Sequence, residues 1–342
     1  MRILGSERLI NDYFKEEFQK PFQNFKFSRK YFYSSGRGAI KNLAYFLKKN
    51  RYSIFFPDYY CAEMFKPLKD ENVKIEFYRI LPDFTADIKF LKKVKKEKTA
   101  LYIVDYFGFQ DENLIEFSKE SGFLSVRDVT HSLLSNFDFS SSDIVLGSLR
   151  KLFPVVDGGI LFTNLKNFEI FKKNSKEDFY IDKLLAKLYR EIYERYKYKS
   201  EHFEKMYLNY SLKGEEGIGY LPKSISKFSL NLLKIYDFEK VGIKRRKNFN
   251  ILLSNSYILK KAIFKSLPKE VVPQSFPIKI EKRDLIKKEL QKYKIFIPIL
   301  WRCKNEISEK ILNIPIDEDY SKKDLLNSVD KIKKVSGDKD EC

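Results

Sequence analysis

The chain has 342 residues, with 66 Lys and Arg against 47 Asp and Glu, a formal net charge of +19. Its 43% hydrophobic residues are enough for a sizeable core and exclude wholesale disorder, and the length suits one large unit with a smaller one. The positive excess is mostly Lys and is spread along the chain, as at Lys48-Lys49, Lys92-Lys93, Lys172-Lys173 and Lys333-Lys334, whereas a nucleic-acid footprint gathers on one face or arm.

The opening stretch MRILGSERLINDYFKEEF has no continuous apolar segment, and no run approaches 18 uncharged apolar residues, so a cytoplasmic protein without a membrane span is expected. From about residue 30 to 165, short apolar runs alternate with helical patterns. Tyr31–Ser35 reads as a strand, and GRGAIKNLAYFLKKN places Ile40, Leu43, Phe46 and Leu47 on one helical face. Strands are then expected at Ser53–Pro57, Val73–Ile80, Thr99–Phe107, Phe123–Val129, Asp143–Leu149 and Gly159–Thr163. Helices are expected through Ala62–Leu68, Ile88–Lys95 and Glu112–Ser121. Such alternation gives βαβ units and a mostly parallel sheet. Residues 165–215 are rich in Lys, Glu and Tyr and read as an exposed helical excursion. Phe228–Ser256 reads as one long helical pattern. A smaller unit follows, with a strand at Phe276–Ile280, a helix at Arg283–Lys292, an apolar run Ile295–Trp301 and a terminal helix Lys322–Lys334. The polar tail VSGDKDEC is expected to fray.

The cysteines Cys61, Cys303 and Cys342 lie far apart without a CxxC spacing, so neither a disulfide framework nor a structural zinc site follows. With two histidines, His131 and His202, a His-rich metal site is excluded, and no GxSxG elbow is present. Four features stand at strand ends instead. Ser35-Gly36-Arg37-Gly38 is a small-residue turn into a helix; it reads as an ordinary strand-to-helix turn or as an anion cradle. Asp128, with His131 three residues on, ends FLSVRDV; it reads as a helix cap or as a carboxylate at the ligand-binding edge of a parallel sheet. Lys151 follows Ser148 and Arg150 and lies in the apolar context LRKLFPVV, where an amine is readily made nucleophilic; the bland alternative is a solvated lysine. Finally, Pro57-Asp58-Tyr59-Tyr60 presents aromatics that either pack in the core or stack on a planar ring.

A phosphate cradle, a stacking aromatic, an acid for a pyridine nitrogen and a Schiff-base lysine are together what pyridoxal 5'-phosphate (PLP) requires. In order and spacing the chain resembles the DegT/DnrJ/StrS-type sugar aminotransferases, a branch of the fold-type I PLP enzymes. SGRGAI is similar to that family's phosphate turn, PDYY to its ring-stacking segment, and RDVTH to its acidic element. Lys151 followed by Gly158-Gly159 keeps the seven-residue step from the lysine to the glycine pair. Val104–Gly108, Phe296–Trp301 and Leu312–Asp317 are similar to further family segments, so the likeness spans about residues 28–335.

The resemblance implies an α/β fold of fold-type I: a mostly parallel seven-stranded sheet flanked by helices in a large PLP-binding domain, 1–235, and a smaller α/β domain, 236–342. It implies Lys151, Asp128 and His131 as catalytic residues, and Gly36, Arg37, Tyr60, Asp128, His131, Ser148 and Lys151 as cofactor contacts. It further implies a homodimer with shared sites and an amino group moved, from glutamate, to a nucleotide-linked keto-sugar in surface-glycan or related amino-sugar biosynthesis. The family's phosphate serine five residues before the lysine is replaced by Leu146, which leaves Ser148 for that role. Its GYNYR segment appears as Gly219–Lys223 without the Asn, which leaves Lys223 or Arg246 for a cross-subunit contact. A relative that binds the cofactor without transferring amines, acting as a sensor or scaffold, is the competing reading.

Overall fold

In the computed structural model, which describes residues 13–15, 21–22, 25–94, 97–171, 179–195 and 201–337, seven strands form one sheet. They are β1 (Arg29–Tyr33), β2 (Ser53–Pro57), β3 (Ile75–Tyr78), β4 (Thr99–Val104), β5 (Leu124–Asp128), β6 (Ile144–Ser148) and β7 (Gly159–Thr163). Their spatial order is β1-β7-β6-β5-β4-β2-β3. The five central and distal strands β6, β5, β4, β2 and β3 are parallel, and β7 runs antiparallel to both β6 and β1. The apolar runs SIFFP, TALYIV and GILFT are what strands covered on both faces need, and they are buried over nearly their whole length.

Helices α1 (Gly36–Lys49), α2 (Phe65–Asp70), α3 (Ile88–Leu91) and α4 (Glu112–Ser121) lie between successive strands. On α1 the stripe Ile40, Leu43 and Leu47 packs with Phe56, Tyr102 and Leu146 in one core. The side chains of Val145, Phe153, Phe162 and Leu233 form another, so the adjacent residues Val145 and Leu146 of β6 serve different cores, as strand alternation requires. Asp111 starts α4 by accepting from the Leu114 N–H, and Gly122 ends it in the left-handed conformation at φ 78°.

The excursion after β7 consists of α5 (Phe179–Arg195) and α6 (Glu201–Ile218), which pack against each other. The long helical pattern expected at Phe228–Ser256 is broken into α7 (Lys227–Ile235) and α8 (Phe238–Leu253). Tyr236 is extended, and the Asp237 carboxylate accepts from the Lys240 N–H at 3.0 Å, which caps a new helix. After α9 (Ser256–Lys261), β8 (Ser275–Lys279) pairs antiparallel with β9 (Ile311–Pro315), flanked by α10 (Arg283–Gln291) and α11 (Lys322–Ser336). Strand β9 is not foreseen as a strand, because ILNIP is short and ends on Pro.

The second sheet has its own core of Phe249, Leu252, Phe276, Ile278, Leu312, Ile314 and Leu325. Helix α8 belongs to both halves: Val241 packs in the large unit, Phe249 in the small one. Between them Arg245, fully buried, reaches Asp317 and Glu318, each at 2.9 Å. The run Ile295–Trp301 forms no strand. Of the tail expected to fray, 335–342, Val335 and Ser336 complete α11 and Gly337 ends it, while 338–342 lie outside the described residues, as do 1–12 and 16–18 of the opening stretch. Among the described residues no helix is long and apolar enough to cross a membrane.

Candidate active site

The carboxyl ends of β5 and β6 and the start of α1 open onto one cavity of about 500 Å³. Gly36, Arg37, Asp128, His131, Ser148 and Lys151 all line it. Their convergence depends on the glycine pair. Gly158 adopts φ +147° and donates its N–H to the Ser34 carbonyl at 2.8 Å, while the Leu149 N–H donates to the Gly158 carbonyl. At Gly159 a Cβ would lie 2.2 Å from the Ser35 carbonyl oxygen and 2.6 Å from the Gly36 nitrogen. Only a residue without a side chain lets the turn after β1 and the start of β7 approach so closely. The same approach brings Gly36 onto Ser148, so the α1 N-terminus and the Ser148 hydroxyl share one corner of the cavity. Ser35 closes the turn by accepting from the Gly38 N–H at 3.0 Å.

Asp128 is almost fully buried, and no helix follows it to be capped. One oxygen accepts from the Thr130 N–H at 2.9 Å and the other from the Tyr102 hydroxyl at 2.8 Å. Tyr102 itself is locked by stacking on Phe56 with centroids 4.1 Å apart. Burial pushes the Asp128 carboxyl up, those hydrogen bonds oppose it, and the nearby Asp105 charge adds to the rise. Among the described residues its recorded partners are neutral donors, so the site offers a buried anionic position to a cationic group of a ligand. Tyr102 was legible only as core, since it lies inside an apolar strand. The Thr130 hydroxyl also accepts from the Ser148 N–H at 3.0 Å, joining the carboxylate segment to the lysine loop.

His131 is buried between rings, 5.7 Å from Trp301 at an interplanar angle of 12° and 6.1 Å from Phe107 at 22°. Its Nδ1 accepts from the Phe107 N–H at 3.2 Å, so the neutral imidazole carries its proton on Nε2. Burial, reinforced by the Lys151 charge, lowers its pKa from 6.5 to about 3. His131 therefore acts as a neutral donor throughout the physiological range. Because the unfolded chain binds this proton from 6.5 downward while the folded one does not, stability falls with pH in that window by about 1.4 kcal/mol per unit. Urea titrations between pH 4 and 7 should show this slope flattened in His131→Gln; an unchanged slope would place the titration elsewhere.

Tyr60 does not join the other expected cofactor contacts. Its ring sits edge-on to Phe65 at 4.2 Å and stacks on Phe77 at 5.5 Å, as part of the core packing. Just beyond β2 the chain enters a 3-10 turn at Ala62–Met64, which brings Cys61 rather than Tyr60 to the cavity wall. Burial raises the Cys61 thiol pKa, with the Lys151 charge acting against it. The aromatic surface comes instead from Trp301, carried over by the 295–301 run and held by the Tyr59 hydroxyl donating to the Leu300 carbonyl. Leu146 lines the cavity as an apolar wall beside Ser148. Arg246 is engaged with the Pro268 and Val271 carbonyls, and the Gly219–Lys223 segment packs on the α1 start, with Ser35 donating to the Gly219 carbonyl at 3.3 Å. Glu215, at the end of the stretch expected to be an exposed helical excursion, and its neighbour Glu216 also reach the cavity.

This architecture has solved counterparts. Helicobacter pylori PseC, an aminotransferase involved in the biosynthesis of pseudoaminic acid, matches with a TM-score of 0.68 at 14% identity, over 98% of this chain and 100% of that one. S. venezuelae DesV matches with a TM-score of 0.64 at 14% identity, over 93% and 87%. The chain has their fold. A DegT DnrJ EryC1 StrS aminotransferase from Brucella abortus gives 0.62 at 13% identity, over 94% and 92%. No family profile and no curated protein matches by sequence. The fold-type I architecture expected from the resemblance is thus the one found, and at these identities the likeness is one of fold.

Proposed function

We propose that the chain is a PLP-dependent aminotransferase acting on a nucleotide-linked keto-sugar, with glutamate as amino donor. The observation that carries this is the meeting of Lys151, buried Asp128 and the Gly36–Ser148 corner in one cavity. These residues suit PLP: the α1 N-terminus and Ser148 would hold its phosphate, buried Asp128 would pair with a protonated ring nitrogen, and Lys151 would take its aldehyde carbon. Bound there, PLP supplies an electron sink for the carbanion left when a donor loses its α-proton.

The chain's own residues do the rest. Lys151 would hold the cofactor through its Nζ, and the same amine, standing on the cavity wall, would serve as the base that moves a proton at the donor's α-carbon. Asp128, fixed by Tyr102 and Thr130, would keep the ring nitrogen protonated. His131, with its Nδ1 occupied by the Phe107 N–H, would have its Nε2–H to offer an acceptor on a bound ring, and Leu300 and Trp301 would shield that part of the cavity from bulk water.

The division we propose, a large unit, 1–235, and a small one, 236–342, is supported by the two separate sheets, although Tyr236 and Val241 pack in the large unit's core. The same reading carries a homodimer with shared sites, which sedimentation of active protein as a monomer would contradict. The function is tested by incubating protein, PLP and glutamate with a panel of nucleotide keto-sugars and detecting amino-sugar products by mass spectrometry. An aminated product from at least one acceptor is expected. Cofactor uptake with no amine withdrawn from glutamate would favour a sensor or scaffold.

A further inference from the structure

Arg150 precedes Lys151 in the lysine loop and also lines the cavity. Its guanidinium grips Glu215 of α6 through two nitrogens, at 2.6 and 3.2 Å, one to each carboxylate oxygen. This fork is the geometry in which arginine binds a free carboxylate. Lys183 of α5, whose side chain is 1% exposed, reaches the same Glu215 oxygen at 2.7 Å. The contact is built in: at position 214 a Cβ would lie 2.6 Å from the Lys183 Cγ, so Gly214 makes room for the lysine stem. Burial alone would raise the Glu215 carboxyl, but Arg150 and Lys183 outweigh it and hold its pKa at about 2.

The three positive side chains on the cavity wall have different neighbours. Arg37 pairs with Glu63 at 3.0 Å at the α1 end, and Lys151 lies near His131 and Cys61. Among the described residues of the cavity wall, Arg150 alone holds a carboxylate in a bidentate fork.

We infer that Arg150 is a carboxylate-binding residue of this cavity, filled from within the chain by Glu215, and that the carboxylate of an amino- or keto-acid substrate takes Glu215's place. Lys183 makes the exchange inexpensive. Glu215 is 46% exposed and keeps its buried lysine partner when Arg150 lets go, so neither charge is left buried and unpaired. The exchange needs no movement of α5, since Lys183 already holds the departing carboxylate. The inference rests on the aminotransferase reading only in naming the substrate as an amino acid or its keto-acid; the carboxylate site is testable by itself.

The test is calorimetric titration of the full chain with glutarate, which has two carboxylates and neither amine nor ketone. Wild type should bind; Glu215→Gln, which removes the internal competitor, should bind about tenfold tighter, and Arg150→Met about tenfold weaker or worse. Lys183→Met should weaken binding, because Glu215 then depends on Arg150 alone. A purely structural role for the triad predicts that Glu215→Gln and Lys183→Met shift affinity in the same direction. Circular dichroism checks each fold, and Arg150→Lys, expected to bind between wild type and Arg150→Met, serves if the methionine variant does not fold. Equal or weaker binding by Glu215→Gln, unchanged binding by Arg150→Met, or no binding by any form overturns the inference. PLP uptake, followed separately by absorbance, reports on the aminotransferase reading: normal uptake with these glutarate results would sink the carboxylate site alone.

Discussion

Lys151→Ala is expected to abolish amine transfer, reducing the release of 2-oxoglutarate from glutamate by at least about a thousandfold, equivalent to roughly 4 kcal/mol of lost transition-state stabilisation. Two roles fall on this one Nζ, covalent attachment and proton transfer, and no neighbour can take both. Arg150 is engaged with Glu215, and the His131 Nδ1 accepts from the Phe107 N–H in an imidazole with its pKa near 3. The alanine variant should keep the fold, since Lys151 is exposed on the cavity wall rather than packed in the core. It should also retain some non-covalent PLP through the Gly36–Ser148 corner and Asp128. Single-turnover assays with glutamate check the first point and thermal melts the second. Amine transfer within tenfold of wild type would remove Lys151 from the chemistry.

Gly159→Ala carries the largest expected effect on stability, about 3 kcal/mol or more. The atoms its methyl would meet are all backbone: the Ser35 oxygen at 2.2 Å, the Ser35 carbonyl carbon at 2.3 Å and the Gly36 nitrogen at 2.6 Å. No rotamer change relieves such a contact, so the turn after β1 must move away from β7. That movement also displaces Gly36 from Ser148, and PLP affinity should fall with stability. Gly122→Ala is the control. There nothing lies within 4 Å, and the penalty is only that of holding alanine at φ +78°, about 1 kcal/mol. Urea unfolding of the two variants separates steric exclusion from backbone preference. Equal, small losses would mean that β1 and β7 yield easily.

Why some of this was legible beforehand and some not has a physical explanation. Asp128 and Ser148 end β5 and β6 and Lys151 follows three residues later, and polar residues at the carboxyl ends of neighbouring parallel strands are the simplest trace a site leaves in a sequence. The step from Lys151 to Gly158-Gly159 was readable only through the family resemblance; its physical ground, the close approach of Gly159 to Ser35, emerges from the fold. Tyr60 shows the limit. Whether Tyr60 or Cys61 meets the cavity is decided by a single-residue turn of the chain into the 3-10 segment, which periodicity does not resolve. Tyr102 was hidden by its neighbours: inside TALYIV it reads as core, and only the pairing of β4 with β5 puts its hydroxyl on Asp128. Glu215 was hidden by distance, since a Glu on a Lys- and Glu-rich helix gains meaning only when α6 folds back to Arg150. The diffuse +19 charge, prominent at first, bears on none of these contacts.

The central claim is that this cavity holds PLP through Lys151. Borohydride reduction of the purified protein incubated with PLP, followed by proteolysis and mass spectrometry of the peptides, tests it most directly. The expected result is a single phosphopyridoxyl modification on Lys151, in the peptide that runs on into Gly158-Gly159. Stoichiometric modification of another lysine, or none at all, would contradict the account.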